Sequence, residues 1–142
     1  MTGPQQLRHR IFARHAHPIS AWSRLLTTPL VVAAPWTRRT DVTAGVLVWF
    51  AINPIITPEP ADRTSLATRA ILGEESWVAD PDLDRTILVL NALGFAALSG
   101  AILAAWHRRK IPALLGTAAS MMLTLCCWLR YADLYDKVRD AA

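Results

Sequence analysis

The chain has 142 residues, 53% of them hydrophobic, and a formal net charge of +4 at pH 7. That length suits one domain, 1–142, and that apolar content stands at the upper edge for a soluble chain. The basic residues, thirteen of fifteen of them arginine, sit mostly at the ends of apolar runs and make no nucleic-acid module, so no nucleic-acid partner is expected.

Residues 1–18 form a basic surface segment. Leu7, Ile11 and Phe12 fall on one helical face and Arg8, Arg10 and Arg14 elsewhere, the pattern of a short helix lying on a membrane. A frayed terminus is the other reading. Pro18 marks a break and a fresh helix start. The order basic then apolar imitates a secretory signal, but the basic part is long and Pro35 follows the small residues Val32-Ala33-Ala34, so cleavage is not expected.

Residues 19–37 are the first candidate span. Arg24 lies near its start, where the side chain can reach the headgroups, Pro29 predicts a kink, and Trp22 and Trp36 mark the two ends. A re-entrant or interfacial course is the alternative. Residues 42–58 are the second candidate, interrupted by Asn53-Pro54. The residue before proline is pushed out of helix, so regular helix is predicted to end near Asn53; to span, the segment must begin earlier, continue past Pro54 with a kink, or sit where the bilayer is thinned. An unwound Asn-Pro at membrane depth is tolerated only where protein or water covers it, which draws attention to Asn53.

Residues 59–85 form a polar loop with seven carboxylates: Glu59, Asp62, Glu74, Glu75, Asp80, Asp82 and Asp84. A short helix is predicted there, capped by Asp62 or Thr64, burying Leu66, Ala70 and Ile71, and ended by Gly73. Glu74-Glu75-Ser76-Trp77 then returns to the interface. Asp80-Pro81-Asp82 reads as a stop, with Asp82 or Asp84 starting the next helix.

Residues 86–106 and 111–129 are uncharged runs of twenty-one and nineteen residues. At about 1.5 Å per residue each spans roughly 30 Å, the thickness of a hydrocarbon core. Ala92, Ala96, Gly100 and Ala104 recur every four residues in the first, and Gly116, Ser120 and Thr124 in the second, stripes that let helices approach closely. Residues 107–110, His-Arg-Arg-Lys, make the turn between them. The tail, 130–142, is predicted to extend as helix into water, with Asp133 and Lys137 placed to pair. Cys126 and Cys127 are adjacent and point in different directions on a helix, which implies no disulfide framework and no metal site.

The expected fold is all-α: an integral membrane four-helix bundle made of two helical hairpins joined by an acidic loop with a short helix. Four spans bring the N-terminus, the loop and the tail to one side, with Arg38-Arg39 and the 107–110 turn on the other. Ten basic residues against five favour a cytoplasmic N-terminus in a multi-pass plasma-membrane protein, although the two dense basic turns argue the other way. If the first run does not cross, three spans result.

This arrangement gathers a polar cluster: Trp22, Arg24, Asn53, Glu59, Arg69 and Trp77, with His15, His17, Glu74 and Glu75 as weak catalytic candidates. A structural layer of ion pairs, with Arg24 or Arg69 bonded to Glu74 or Glu75, is the leading reading. Two imidazoles beside carboxylates can also serve acid–base chemistry, but on a helix the rings of an H-x-H pair diverge, and HExxH, CxxC and P-loop motifs are absent. No metal and no cofactor are expected. The spans lack the embedded carboxylate that small coupled efflux subunits need.

The run Arg14-His15-Ala16-His17-Pro18-Ile19-Ser20-Ala21-Trp22-Ser23-Arg24 resembles the opening of a domain-of-unknown-function family of small prokaryotic multi-span membrane proteins. Asn53-Pro54, Pro58-Glu59-Pro60, Ala67-Thr68-Arg69-Ala70-Ile71-Leu72-Gly73-Glu74 and Trp77 resemble its second motif, with His17 standing where the family usually has Asn before Pro. The resemblance implies a multi-span membrane protein and carries no mechanism. The expected function is non-enzymatic, an interaction or accessory protein. Its partners are the lipid bilayer and either a second copy of the chain or another membrane protein. The alternative is a membrane-interface enzyme or ligand-binding protein using the polar cluster.

Overall fold

Three proline-marked breaks and two tight basic turns divide the chain into helices. A computed structural model describes residues 3–141, with the side chains of residues 4, 5, 7–10, 54 and 55 left out, so the face assigned to Leu7, Arg8 and Arg10 lies outside the described residues. The helices are α1 (Gly3–His15), α2 (Pro18–Thr37), α3 (Thr40–Ile56), α4 (Leu66–Ala79), α5 (Arg85–Trp106) and α6 (Lys110–Asp140). The fold is all-helical, with no strand among the described residues.

Local chemistry sets most of these boundaries. Pro18 is the first residue of α2, and His17 caps it, its Nδ1 accepting from the Ile19 amide at 3.3 Å. α2 ends with Arg38 in the left-handed region (φ 54°), and Arg108 takes the same conformation in the turn between α5 and α6 (φ 58°). Asp84 caps α5 by accepting from the Thr86 amide at 2.9 Å and also holds Arg130 of α6 at 2.7 Å.

Four expectations are corrected. α3 does not end near Asn53 but continues through Pro54 to Ile56. Proline removes the single backbone bond to the carbonyl four residues back, and Asn53 is anchored to α2 strongly enough to hold the segment helical. α4 does not end at Gly73 but runs six residues further, to Ala79. Its cap is Ser65, whose Oγ accepts from the Thr68 amide at 3.1 Å, while Asp62 instead accepts from Thr64 within the loop. The tail extends α6 as helix, as expected, but not wholly into water: its length buries Tyr131, Ala132 and Leu134. Asp133 and Lys137 are both exposed and form no ion pair with each other among the described residues.

α5 packs along α6, and α4 lies across the second half of α6. The small-residue stripes make the first of these contacts close: a Cβ on Gly116 would come within 3.0 Å of both the Ala101 methyl and the Ala97 carbonyl. α2 lies against α5 and α6, and α3 against α2. At one end of the bundle the two basic turns meet. Arg38 donates to the Trp106 carbonyl at 2.9 Å with its guanidinium over that indole, and Arg108 lies over Trp36. At the other end α1, α4 and the close of α6 form the main apolar core, around Leu25, Ile71, Ile87 and Trp128.

Two helices among the described residues, α5 and α6, are long and apolar enough to cross a membrane. α2 is diluted by Arg24, Thr27, Thr28 and two prolines, and the apolar part of α3, Thr40–Asn53, is shorter.

Candidate functional site

Ser23 and Arg24 lie three and four residues beyond Ser20, on the same side of α2. Facing them from α3 is Asn53, only 3% exposed. Its Oδ1 accepts from the Ser20 hydroxyl at 2.8 Å and its Nδ2 donates to Ser23 Oγ at 2.9 Å. One turn further along, the Trp49 indole donates to Thr27 Oγ1 at 2.9 Å. Three polar bonds thus join two otherwise apolar helices. Asn53→Leu is expected to cost about 2 kcal/mol in unfolding free energy, because it leaves the buried Ser20 hydroxyl without its acceptor. Asn53→Asp, which keeps the acceptor, should retain part of that loss, and equal stability of parent and Asn53→Leu in detergent melts would remove the anchor role.

Arg24 turns from this face toward α4. Its Nε donates to the Ser20 carbonyl at 3.3 Å, and its charge is felt by both His15 and Glu74. The Glu74 carboxyl is held above the usual carboxylate range because burial outweighs the opposing pull of Arg24. Glu74 also lines a cavity of about 220 Å³ between α4, α5 and α6, with Asn91, Ser120, Thr124, Cys127 and Tyr131. Within it Asn91 Nδ2 donates to Tyr131 Oη at 2.8 Å, and the Cys127 thiol lies 3.6 Å from Asn91 Oδ1. Both thiols, Cys126 and Cys127, are free.

A second set of contacts seals α4 to its neighbours. Thr68 Oγ1 donates to the Ala16 carbonyl at 2.8 Å, closing α1 over α4. Trp77 donates to the Asp84 carbonyl at 3.0 Å and meets Tyr131 edge-on. Arg69 is bonded to Asp136 near the end of α6, not to Glu74 or Glu75, which corrects the expected pairing. The reason is rotational: Arg69 and Glu74 are five positions apart on α4, so one faces the end of α6 while the other faces Arg24.

The chain matches the DUF6653 family, a family of unknown function, over residues 3–142. It belongs to that family. No curated protein and no solved structure matches it.

In this DUF6653 member the sequence-predicted residues divide into distinct groups. Arg24, Asn53 and Glu74 stand around the α2–α3–α4 junction, with His15 close enough for its pKa to be lowered by burial and by Arg24. Both histidines are committed to local backbone: His15 Nδ1 donates to the Ile11 carbonyl at 2.9 Å, and His17 caps α2. Trp22 is 39% exposed and meets Trp128 edge-on, away from the acidic loop. Glu59 is exposed in the loop, and Glu75 is part-buried beside Glu74 on another face of α4. Among the described residues no group of three or more His, Cys, Asp and Glu side chains is placed to hold a metal ion.

Sequence reasoning brought Tyr131 to this end of the bundle and read Gly73 as a helix end, but missed Asn91 and Asp136 as parts of this region. Asn91 carried a usable sign, being the one amide inside the apolar run 86–106. Asp136 falls in a tail read as solvated, and nothing in its spacing shows that α4 covers that stretch.

Proposed function

We propose that this protein is a multi-pass integral membrane protein of the plasma membrane, without catalytic activity, acting as an interaction or accessory protein. The observation that carries this reading is where the apolar surface lies. Only 11% of the apolar window of α5 is buried inside the protein, whereas the core helix of a soluble protein is mostly buried. Leu88, Val89, Leu93, Phe95 and Leu103 of α5, and Ile111, Leu114, Leu115 and Met122 of α6, are exposed, with Phe95 at 76%. Apolar area on that scale needs lipid or protein around it. The polar groups concentrate at the two ends of the bundle, as a bilayer demands.

On this reading α2 and α3 form a first hairpin and α5 and α6 a second, making a four-helix membrane bundle. The N-terminus and α4 lie on the cytoplasmic side and the two basic turns on the other. The Arg38–Trp106 and Thr68–Ala16 bonds are consistent with two hairpins side by side, since the first joins the two turns and the second joins the residue after α1 to α4. Topology tests it directly. In a Cys126→Ser, Cys127→Ser background, single cysteines at Gly3, Glu59 and Asp140 are expected to be labelled from one side by a membrane-impermeant maleimide, and a cysteine at Thr40 from the other. Gly3 and Glu59 on opposite sides would remove the four-span bundle.

The cavity beside Glu74 favours a second reading, a ligand-binding protein of the membrane interface. Its floor offers a carboxyl, an amide and a phenol, and Leu90, Phe95 and Leu98 form its apolar wall. Glu74→Gln and Tyr131→Phe that fold normally but abolish a cellular phenotype would favour this over a purely structural layer.

A further inference from the structure

At the end of the bundle opposite Glu74, an apolar groove of about 500 Å³ runs between α2 and α6. Trp36 and Lys110 stand at its mouth and Pro29 and Met121 at its far end, because α2 finishes where α6 begins. Val32 and Ala113 form its floor, and nothing charged lines it apart from Lys110. From Lys110 to Met121 the groove follows α6 for eleven residues, about 16 Å. That is about half of a hydrocarbon core, the depth of one leaflet.

The mouth is electrostatically lopsided. Lys110 lines it and Arg108 lies over the ring of Trp36, another lining residue, while the carboxylate of the neighbouring α2–α3 turn, Asp41, is already bonded to Arg39. Arg38 and Arg108 lie over the rings of Trp106 and Trp36, contacts that hold the guanidinium groups at the rim and leave donors for an anion. Among the described residues no other carboxylate pairs with Arg38, Arg108, Arg109 or Lys110. A single cation on a span end serves topology. Two without acidic partners, Arg108 and Lys110, at the mouth of a groove one acyl chain deep form a complementary surface for an amphiphile with a negative head.

We propose that the α2–α6 groove binds one anionic phospholipid, its phosphate held by Arg108 and Lys110 and one acyl chain lying along Val32, Ala113 and Leu114. The proposal rests on the membrane reading above and extends it from a solvent-like bilayer to a specific lipid site. Trp36 closes the upper wall of the groove and carries Arg108 on its ring, so that one residue serves both the chain and the head.

Native mass spectrometry of the detergent-solubilised full chain, with equimolar phosphatidylglycerol and phosphatidylcholine, tests it. Two cations, each worth about fivefold in affinity for an anionic headgroup, set an expected preference of about 25-fold in the one-lipid adduct. Arg108→Gln with Lys110→Gln should bring the two adducts within about twofold, by the same relation. Ala118→Trp, on the exposed lip of the groove, leaves the charges in place and should reduce both adducts together. Equal adducts in the parent protein, or a preference kept in the double variant, overturn the site. Unchanged adducts in Ala118→Trp overturn the groove as the place where the chain lies. Extraction from native membranes by alkaline carbonate separates the two levels. A protein that stays in the membrane yet shows equal adducts loses the lipid site alone, and one released by carbonate loses the membrane reading as well.

Discussion

Gly73→Ala is expected to detach α4 from α6. A methyl group there would sit 1.9 Å from the Tyr131 carbonyl oxygen and 2.6 Å from its carbonyl carbon. Both obstacles are backbone inside a continuous helix, so neither can swing aside as a side chain would. Inserting one carbon into a packed interior ordinarily costs about 1–3 kcal/mol, and here the helix must move as a body, so a loss of about 3 kcal/mol or more is expected. The contacts at stake are those of Ala67, Ala70, Ile71 and Leu72 with the end of α6, together with the Arg69–Asp136 and Trp77–Tyr131 pairs.

Other glycines calibrate the effect. Gly116→Ala meets Ala101 and Ala97 at 3.0 Å, so it should cost about 1–2 kcal/mol through a small parting of α5 from α6. Gly45→Ala has nothing within 4 Å and should gain about 0.5–1 kcal/mol from helix propensity alone. Denaturant or thermal unfolding in detergent gives the ranking. If Gly73→Ala unfolds like Gly45→Ala, the close crossing of α4 on α6 is wrong.

How much of this was legible in the sequence depends on the range of the interaction that decided it. Pro18, Ser65 and Asp84 act within a few residues, and their neighbourhoods announced helix starts, although Ser65 was passed over for Asp62 and Thr64 nearby. The uncharged runs fixed α5 and most of α6 because burial in either lipid or protein asks for the same pattern. Gly73 was legible as a special position and misread in kind. A glycine after an apolar turn serves as a helix terminator or as a crossing point, and only the helix lying across it decides which. Pro54 failed in the same way, since its local cost is met by Asn53 bonding to α2, thirty residues away in sequence. The pairing of Arg69 with Asp136 was illegible for a related reason: the sequence offered Glu74 and Glu75 nearby, while α6 supplied a nearer partner through the fold.

Arg24→Leu is expected to lower stability by about 2 kcal/mol at neutral pH, because it removes both a charged hydrogen bond to the Ser20 carbonyl and the positive charge that opposes the burial of Glu74. The loss should be pH-dependent, and its sign follows from Glu74. Burial raises that carboxyl above its ordinary value, and Arg24 opposes the rise. A carboxyl whose folded pKa exceeds its unfolded one binds protons more tightly in the folded state. Stability is therefore greatest below the unfolded value and falls as pH rises toward the folded value. Removing Arg24 lifts the folded value further, which widens and deepens the fall. The deficit of Arg24→Leu should thus be large at neutral pH and shrink as the medium is acidified into the ordinary carboxylate range.

Glu74→Gln imitates the neutral form that the site already prefers, so alone it should lie within about 1 kcal/mol of the parent and flatten the pH dependence. The double variant should recover most of what Arg24→Leu loses, giving a coupling energy of about 1–2 kcal/mol in the cycle. A deficit that is the same at every pH and persists in the double variant would assign Arg24 to packing and to its bond with the Ser20 carbonyl, and would leave Glu74 a bystander. The predicted outcome instead makes the attraction between Arg24 and Glu74, felt without a direct ion pair, the electrostatic link between α2 and α4. It links a charge of the first hairpin to one of the acidic segment, so the alignment of the two halves at this end depends in part on it.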